Sequence, residues 1–557
     1  MRATRITRRT LVGGAGTVLA GAALTTPAHA RLLTGARGIG PGEFLDGVAS
    51  GEPAPDAVTF WGRVTTPRPR TAARLIVAED EGLGRVVATT VVPTSSGVDH
   101  TLKARVGGLR PDTHYWYVWQ SATGMSPVGR TKTAPDPASA KAIAIGFSSC
   151  QRLTHGFFNA HADAAARDDL DLYAFLGDYT YEYAAAKESG GAADELATND
   201  LASYRAKLRF YRADPYLREL HRVHPTVHTW DDHEVEDNYT DGRNGHPFAS
   251  QRAAGYRASF EWHPRLSVPG DRYRLYRNWR LGRHAELLML DQRQYRRADQ
   301  PEAFLGRAQM EWAKASLSGS GASWKLLGNP TMITMLGPNG PLGGTSFNTD
   351  QWDGYTAERD ELLGHIGAGG LQDVVFLTGD IHIFFANHLP VDSRPGSGSP
   401  IVATEYVGGS VTSAGVPEWL EWLGNGAIKT INPQFQYVQG ARHGWAVLRA
   451  DANELRVDYR ASDITRQGAP SETIASFVQA RGANRLEQTA GTRGGDAKVT
   501  RAGEAGARSQ VGDALTRRRD AEARIALSGR AQPRLVEQAA RRRTHHDDRS
   551  PSRRRAA

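Results

Sequence analysis

Four polar stretches of the sequence contain side chains that commonly bind metal ions, and each follows an apolar, strand-like run. SSCQ follows AIAIGF, GDYTY follows DLYAFL, WDDHE follows TVHT, and GDIH follows DVVFLT. In α/β sheets, sites form in the crevice beyond the carboxyl ends of the strands, where residues far apart in the sequence can meet. The candidate ligands are Cys150, Asp178, Tyr181, Asp231, Asp232, His233, Asp380 and His382.

Each of these residues, taken singly, also has a purely structural explanation. An aspartate that follows a strand is often the N-cap of a helix. His382 stands between two isoleucines and could be a core histidine with one hydrogen bond. A lone cysteine such as Cys150 is more often a small buried apolar group than a ligand. The coincidence of four such strand ends in one domain favours a shared metal site.

Two kinds of metal ion suit this set of side chains. The phenol of Tyr181 has an ordinary pKa of about 10, so it binds a cation at neutral pH only if the cation is a strong Lewis acid. The thiolate of Cys150 favours a transition metal, and ferric iron suits both residues. The carboxylates of Asp178, Asp232 and Asp380 are hard donors that suit a second ion such as calcium. Two ions about 3.5–4 Å apart form the arrangement that hydrolyses phosphate esters.

The same stretches carry a resemblance to a known family. GDYTY is similar to the G-D-x-x-Y motif of metallophosphoesterases, and WDDHE stands where that superfamily has G-N-H-[DE]. More narrowly, the chain resembles the PhoD-like alkaline phosphatase/phosphodiesterase family. The stretches that carry this resemblance are FLDGVASGEPAPDAVTFWGRV, SSCQ, FLGDYTYEY, TWDDHEVEDNY, LDQRQYR and LTGDIH. The resemblance runs from about residue 43 to about residue 489 and includes an immunoglobulin-like N-terminal domain and twin-arginine export.

The resemblance implies an iron site and a calcium site that share one residue. Iron would be bound by Cys150, Asp178, Tyr181 and His382, with Cys150 where related phosphatases often have aspartate. Asp178 would bridge to calcium, and Asp380 would be a further calcium ligand.

The stretch WDDHEVEDNY supplies the remaining calcium ligand, which is either Asp232 or Asn238. Alignment with G-N-H favours Asp232, while the end of the stretch offers Asn238. His233 aligns with the superfamily histidine that contacts phosphate, so it is expected to bind phosphate or to protonate the leaving group. The structural alternative for His233 is an orienting role behind the metal ligands.

The predicted function is hydrolysis of phosphate monoesters and diesters by a metal-bound hydroxide, at neutral to alkaline pH and without a covalent phospho-enzyme. Nucleotides, teichoic-acid-like polymers and phospholipids all fit as natural substrates. One alternative is phospholipase D-type hydrolysis, for which the stretch VPEWLEWLG (416–424) offers an apolar rim. Another is a non-catalytic cell-surface binding protein, against which the intact ligand sets at all four strand ends argue.

The predicted fold class is α/β, with an immunoglobulin- or fibronectin-like β-sandwich followed by a metallophosphoesterase β-sandwich flanked by helices. Residues 41–137 contain short β-rich runs, and GLRPDTHYWYV is typical of a tyrosine corner. Residues 140–489 form the predicted catalytic domain, in which 460–489 is expected to be a helical lid. Residues 490–557, rich in arginine and poor in aromatics, are expected to be a disordered basic tail.

The N-terminus predicts export. Arg8 and Arg9 precede a short apolar stretch, which is followed by Ala28-His29-Ala30. This is the arrangement of a twin-arginine signal with an A-x-A cleavage site. Residues 1–30 are therefore the predicted signal peptide, and the protein is expected to be secreted by the twin-arginine machinery. The alternative is an ordinary basic N-terminal helix.

Composition and charge narrow the class of protein further. The chain has 557 residues, of which 40% are hydrophobic and 23% charged, as in globular proteins. The net charge of +8 belongs to the two ends, because the chain without residues 1–30 and 491–557 has 47 basic and 52 acidic residues. No nucleic-acid surface is inferred. We expect a monomer that acts on a phosphate ester, and a peripheral contact with membrane or cell wall stays open.

Overall fold

The computed structural model describes residues 5–6, 38–188, 191–240, 248–297, 303–336, 348–393, 397–415 and 432–489. The predicted signal peptide, apart from the short strand β1 (Arg5–Ile6), lies outside the described residues. The stretch 416–424 and the predicted tail, 490–557, also lie outside them.

Seven strands form the N-terminal β-sandwich. They are β2 (Val48–Ala54), β3 (Ala57–Arg63), β4 (Arg70–Ala78), β5 (Val86–Ser95), β6 (Thr101–Gly107), β7 (His114–Gln120) and β8 (Gly129–Lys132). One layer has the order β5-β4-β7-β8, and β6, β3 and β2 form the other. The predicted tyrosine corner is confirmed, because the Arg110 N–H donates a hydrogen bond of 2.8 Å to Tyr115 Oη. The sequence predicts five of these strands, in AVTFWGRV, TAARLIVAED, GRVVATTVV, HTLKARVGGL and THYWYVWQSA. It misses β2, because glycine and proline weigh against a strand in VASGEPA, and it misses the four-residue β8.

The layer that contains β2 continues into the sheet of the second domain. Ser50 and Gly51 of β2 pair in parallel with Pro225 and Thr226 at the start of β11. One sheet of eleven strands therefore has the order β1-β6-β3-β2-β11-β10-β9-β19-β20-β21-β22. Its strands in the second domain are β9 (Ile143–Ser148), β10 (Leu172–Leu176), β11 (Pro225–Thr229), β19 (His443–Ala450), β20 (Glu454–Ser462), β21 (Glu472–Ala480) and β22 (Glu487–Gln488).

A second sheet, of seven strands, packs against this one. Its order is β12-β13-β14-β15-β17-β16-β18. The strands are β12 (Arg277–Leu281), β13 (Ala285–Met289), β14 (Trp324–Asn329), β15 (Val374–Thr378), β16 (Phe384–Pro390), β17 (Ile401–Gly408) and β18 (Phe435–Gln439). The sequence predicts six strands in this domain, AIAIGF, DLYAFLG, TVHTW, ELLMLD, WKLLG and DVVFLTG. All six are confirmed, as β9, β10, β11, β13, β14 and β15.

The two sheets are buried on both faces, and the alternation of side chains along β10 shows how. Ala174 and Leu176 point into the core between the sheets, where Leu326 and Leu377 of the other sheet lie. Phe175, between them in sequence, points to the opposite face and packs under the helices. Such double burial explains why these strands read as continuous apolar runs.

Helices cover the outer faces of both sheets. Those on the larger sheet are α1 (Asn159–Ala165), α2 (Leu201–Tyr211), α3 (Pro215–Val223) and α4 (Phe248–Trp262). The smaller sheet carries α5 (Arg307–Gly319) and α6 (Thr356–Ala368). Aspartates start two of them: Asp200 accepts a bond from Ser203 N, and Asp214, followed by Pro215, accepts one from Leu217 N. Among the described residues, no helix has both the length and the apolar character of a membrane span.

The predicted helical lid is wrong. Residues 460–489 contain the end of β20, all of β21 and β22, and these strands extend the larger sheet. Phe477 of β21 pairs with Val457 of β20, and both side chains lie in the core between the sheets. Ala475 and Phe477, two positions apart in ETIASFVQA, both face the core, as the alternation of side chains along a strand requires. The preceding stretch GWAVLRADANELRVDYR, which the sequence predicts to be a hairpin, is confirmed as one, formed by β19 and β20.

Three histidines are stacked beneath the larger sheet. The rings of His228 and His263 are 4.0 Å apart, His221 is 5.5 Å from His228, and Phe175 stacks on His228 at 4.7 Å. His221 also bonds to Tyr179 Oη at 2.9 Å. Burial lowers the pKa of all three imidazoles well below the ordinary value, helped by the charge of nearby arginines. The folded protein therefore holds them neutral.

This histidine stack should make the fold sensitive to acid. The unfolded chain takes up protons at these positions below a pH of about 6.5, while the folded stack resists them. As the pH drops below about 6.5, the free energy of unfolding should thus decrease, by up to about 1.4 kcal/mol per histidine for each pH unit. The free energy of unfolding, measured with denaturant at neutral and at acidic pH, should decrease less in His228→Phe than in the parent protein. The control is His365→Phe, on α6, and an equal fall in both variants would contradict the prediction.

Candidate metal centre

The four polar stretches meet at one edge of the stacked sheets. Strands β9, β10 and β11 are parallel neighbours in the larger sheet, and β15 belongs to the smaller sheet packed against it. Their carboxyl ends lead to Cys150, to Asp178, to the pair Asp231–Asp232, and to Asp380, respectively. Contact between the ends is close, because a Cβ on Gly379 would lie 2.7 Å from Ser149 Cβ and 3.1 Å from Leu176 O.

The backbone at these strand ends is in an unusual conformation. Cys150, Asp178, Asp380 and His382 have φ values of 59°, 53°, 65° and 58°, all in the left-handed region. Non-glycine residues rarely adopt this region, because it costs about 1–2 kcal/mol per residue. Gly177 precedes Asp178 with φ 108°, and a Cβ there would lie 2.6 Å from Asp231 Cβ. Strain of this kind is concentrated at functional sites.

Asp178 is the shared member of three groups of potential metal ligands. Within each group, one ligand atom per residue lies within 4.8 Å of the others. The groups are Cys150, Asp178 and His382; Asp178, Asp231 and Asp380; and Asp178, Asp232 and His233. A carboxylate that belongs to adjoining groups has the position that a bridging ligand requires.

Tyr181 joins the first of these groups. Its Oη lies 3.2 Å from Asp178 Oδ2, 3.4 Å from His382 Nε2 and 2.6 Å from Ser413 Oγ. The Nδ1 of His382 is 2.8 Å from the carbonyl oxygen of Ala414, which leaves Nε2 toward the tyrosine. An imidazole held in this way by a carbonyl is typical of a metal-binding histidine.

The first group resists ionisation when it has no positive charge nearby. Burial, followed by the charges of Asp178 and Asp380, raises the pKa of the Cys150 thiol well above its ordinary value. Burial likewise raises the pKa of the Tyr181 phenol, and Asp178 and Cys150 raise it further. Burial also raises the pKa of Asp178. A cation would reverse these shifts, because it stabilises the anionic forms.

The pKa values of Asp231 and Asp380, in the second group, are also raised. Burial raises the pKa of Asp231 to about 7 and that of Asp380 to about 6. Asp178 Oδ1 and Asp231 Oδ2 are buried, and no described residue donates a hydrogen bond to either oxygen. Buried carboxylate oxygens are normally satisfied. The donor types and these two unpaired oxygens therefore fit bound metal ions.

Asp232 and Asn238 occupy different positions in the centre. The carboxylate of Asp232 belongs to the group with Asp178 and His233. The side chain of Asn238 is exposed and donates to Asp237 Oδ1 at 3.2 Å, while its backbone N–H donates to Asp232 Oδ2 at 2.7 Å. The position of Asn238 is thus that of a support for Asp232.

His233 is paired with a carboxylate that was not among the predicted site residues. Its Nδ1 lies 2.8 Å from Glu182 Oε2, and Glu182 Oε1 accepts the backbone N–H of Asp237. Burial alone would lower the pKa of His233, but Asp232, Asp178 and Glu182 raise it well above the ordinary value. These acidic neighbours therefore favour the protonated form of the imidazole.

A second unpredicted carboxylate, Glu234, ties two strand ends together. It accepts the backbone N–H groups of Asp178, Tyr179 and Asp231 at 3.2, 2.8 and 2.9 Å. Burial raises the pKa of Glu234 to about 7, while the backbone N–H groups of Tyr179 and Asp231 favour its ionised form. The acidic fourth position of the motif G-N-H-[DE] was a signal for this residue in the sequence.

Comparison with known proteins places the chain in a family. Residues 145–459 match the family PhoD-like phosphatase, and residues 30–135 match the PhoD-like phosphatase, N-terminal domain. The chain belongs to the PhoD-like phosphatase family. It is thus a hydrolase of phosphoric ester bonds, and the alternative of a non-catalytic binding protein is wrong.

Individual relatives agree with this assignment. The chain is 32% identical to alkaline phosphatase D of Bacillus subtilis (strain 168) over 495 residues, which cover 81% of this chain and 83% of the relative. A solved structure of PhoD matches with a TM-score of 0.72 and 30% identity, covering 81% of this chain and 92% of that one. Purple acid phosphatase PPD1 from yellow lupin (Lupinus luteus) seeds shares the fold, with a TM-score of 0.55, 12% identity and coverage of 79% and 75%. The predicted fold class is confirmed.

Proposed function

We propose that this PhoD-like phosphatase is a secreted enzyme that hydrolyses phosphate monoesters and diesters at a centre of ferric iron and calcium. The observation that carries the proposal is the position of Asp178, which lies at the junction of a group containing a thiol and a group of carboxylates. Two chemically different sets of ligands around one shared carboxylate suit two different ions.

Iron would be held by Cys150, Asp178, Tyr181 and His382. Support comes from the chemistry of these donors and from the contacts of Tyr181 Oη with both Asp178 and His382. Phenolate and thiolate together favour a strongly Lewis-acidic transition metal over calcium or magnesium.

Calcium would be held by oxygen donors on the other side of Asp178. Asp232 and Asp380 are the proposed ligands, with the backbone of Asn238 supporting Asp232. Carboxylates suit calcium, which is a hard cation. When bound, the two cations would lower the pKa of a water molecule and neutralise charge on the phosphoryl oxygens.

The chain itself supplies the proton donor. The hydrogen bond and the charge of Glu182 raise the pKa of His233 and favour the protonated imidazole, in which both ring nitrogens are donors. Nδ1 is engaged by Glu182, and Nε2, which lies 4.0 Å from Asp237 Oδ1, would bind a phosphate ester. His233 would therefore bind the phosphate and protonate the departing oxygen, while Glu182 fixes the ring and maintains its charge.

Secretion through the twin-arginine pathway is part of the proposal. It is supported by Arg8 and Arg9, by the short apolar stretch that follows and by the Ala28-His29-Ala30 site. The pathway carries folded proteins, which suits an enzyme whose metal ligands come from four distant strand ends. We propose that the secreted enzyme acts as a monomer.

Elemental analysis and visible absorption test the metal assignment. The purified protein should contain iron and calcium and hydrolyse both a monoester and a diester. Tyr181→Phe should remove the visible absorption band and lower turnover at least about tenfold, because the phenolate would no longer bind iron. Cys150→Ser should lower the iron content.

The control for Tyr181→Phe is Tyr179→Phe, which loses a hydroxyl that bonds to His221 instead. It should retain the absorption band. A Tyr181→Phe enzyme that keeps both its colour and its rate would contradict the iron assignment.

Glu182→Gln tests the proton donor. Without the carboxylate, the pKa of His233 should fall, so the alkaline limb of the pH–rate profile should move to lower pH. Turnover should drop about 100-fold for esters of weakly acidic alcohols and much less for esters of acidic phenols, which leave without a proton. Glu188→Gln is the control, because Glu188 pairs with His155. Equal losses for both classes of ester would rule out leaving-group protonation.

Cell fractionation tests secretion. In a host with a twin-arginine pathway, the full chain should be recovered outside the cytoplasm, while the double variant Arg8→Lys, Arg9→Lys should remain inside, because paired arginines are the recognised signal. The single variant Arg2→Lys, outside the pair, is the control. Normal release of the double variant would contradict the proposed route.

A further inference from the structure

The motif LDQRQYR, which follows β13, brings a fully buried cation to the metal centre. The side chain of Arg293 has 0% exposure. Its Nε donates to Asp231 Oδ1 at 2.5 Å, and its Nη1 and Nη2 donate to the two oxygens of Asp350 at 3.0 and 2.6 Å. Its Nη2 also lies 3.8 Å from Asp232 Oδ2. Arg293 is thus fixed between carboxylates on two sides.

The contact with Asp231 uses only one of the two carboxylate oxygens. Oδ1 is bound by Arg293, while Oδ2 is buried and has no hydrogen-bond partner among the described residues. The carboxylate of Asp231 forms a group with Asp178 and Asp380. A guanidinium has a rigid, planar fork of donors, so it fixes the orientation of a carboxylate as well as its charge. Arg293 therefore fixes the orientation of the Asp231 carboxylate through one oxygen and makes no hydrogen bond to the other.

The neighbour of Asp350 holds the other aspartate of that group. Gln351 is buried, and its Nε2 donates to Asp380 Oδ2 at 2.5 Å. Residues 350 and 351 thus reach two aspartates of the centre, Asp231 through Arg293 and Asp380 directly. A single short segment of chain connects them.

This segment is itself anchored to the smaller sheet. Trp352 Nε1 donates to Asn329 Oδ1, at the end of β14, at 3.0 Å. Asp353 Oδ2 accepts the backbone N–H of Leu336 at 3.0 Å. The positions of Asp350 and Gln351 therefore follow from the fold of the sheet and do not depend on the ligands they support.

We propose that Arg293 and Gln351 are positioning residues that set the affinity of the calcium side of the centre. Gln351 orients the proposed ligand Asp380, and Arg293 orients Asp231, which the structure adds to the group with Asp178 and Asp380. The inference rests on the proposed function, because it needs a cation on that side of Asp178. Partners that orient metal-binding carboxylates typically change metal affinity 10–100-fold when they are removed. Among the described residues, no hydrogen bond joins either residue to the group that contains Cys150. Variants of the two residues should therefore retain iron.

The experiment compares full-length holoenzymes equilibrated in buffers of defined free calcium. Bound calcium and the thermal unfolding midpoint are measured as functions of free calcium, and iron content is measured in parallel. In Arg293→Lys, the positive charge remains but the fork is lost, so half-saturation should need about 10–100-fold more calcium. Gln351→Leu should also weaken calcium binding, and it tests the proposal if the arginine variant does not fold.

Arg296→Lys is the matched control. Arg296 is equally buried and bonds to Asp350 Oδ1 at 2.6 Å, but it makes no contact with Asp231 among the described residues. Its calcium curve should overlay that of the parent protein, even if its unfolding midpoint is lower.

Two results would overturn the inference alone. In one, the parent protein binds calcium, and both Arg293→Lys and Gln351→Leu follow the same calcium curve with only a lower unfolding midpoint, as expected of residues that merely stabilise the fold. In the other, iron and calcium are lost together. A parent protein that shows no saturable calcium binding would instead overturn the proposed centre, and this inference with it.

Discussion

The crowding of buried acidic groups around Asp178 is the constraint on which the rest of the structure depends. Burial and mutual repulsion raise the pKa of Asp178, of the Cys150 thiol and of the Tyr181 phenol, so these groups resist ionisation together. One neighbouring protein cation, Arg293, engages Oδ1 of Asp231, while Oδ2 has no hydrogen-bond partner among the described residues. The fold thus keeps a concentration of negative charge that metal ions would balance, which couples metal binding to stability.

Holding such groups together requires a rigid scaffold, and the stacked sheets provide it. The strand β11, which leads to Asp231 and Asp232, is hydrogen-bonded on both edges, by β10 and by β2 of the N-terminal sandwich. The N-terminal domain therefore supports the catalytic strand directly. Glu234 joins the ends of β10 and β11 through three backbone N–H groups. These constraints explain how four non-glycine residues at the site persist with left-handed φ values.

Much of the fold could be predicted because its signals are local. The six predicted strands of the second domain are long apolar runs, and the tyrosine corner rests on a short motif around Tyr115. The helical lid failed for a local reason as well, since Ala475 and Phe477 follow the period of a strand. Strand β2 was missed because its glycine and proline are tolerated only through its pairing with β3 and β11.

The sequence by itself determined the chemistry of the centre: one thiol, one phenol, an imidazole and several carboxylates, each placed directly after an apolar strand. Those signals are readable because side-chain chemistry and strand periodicity are properties of short segments. Only the tertiary structure decided which groups meet. The pairing of Glu182 with His233, and the links from Arg293 and Gln351 to Asp231 and Asp380, join residues 29 to 62 positions apart. Such contacts depend on how strands are ordered and sheets stacked, which no local pattern specifies.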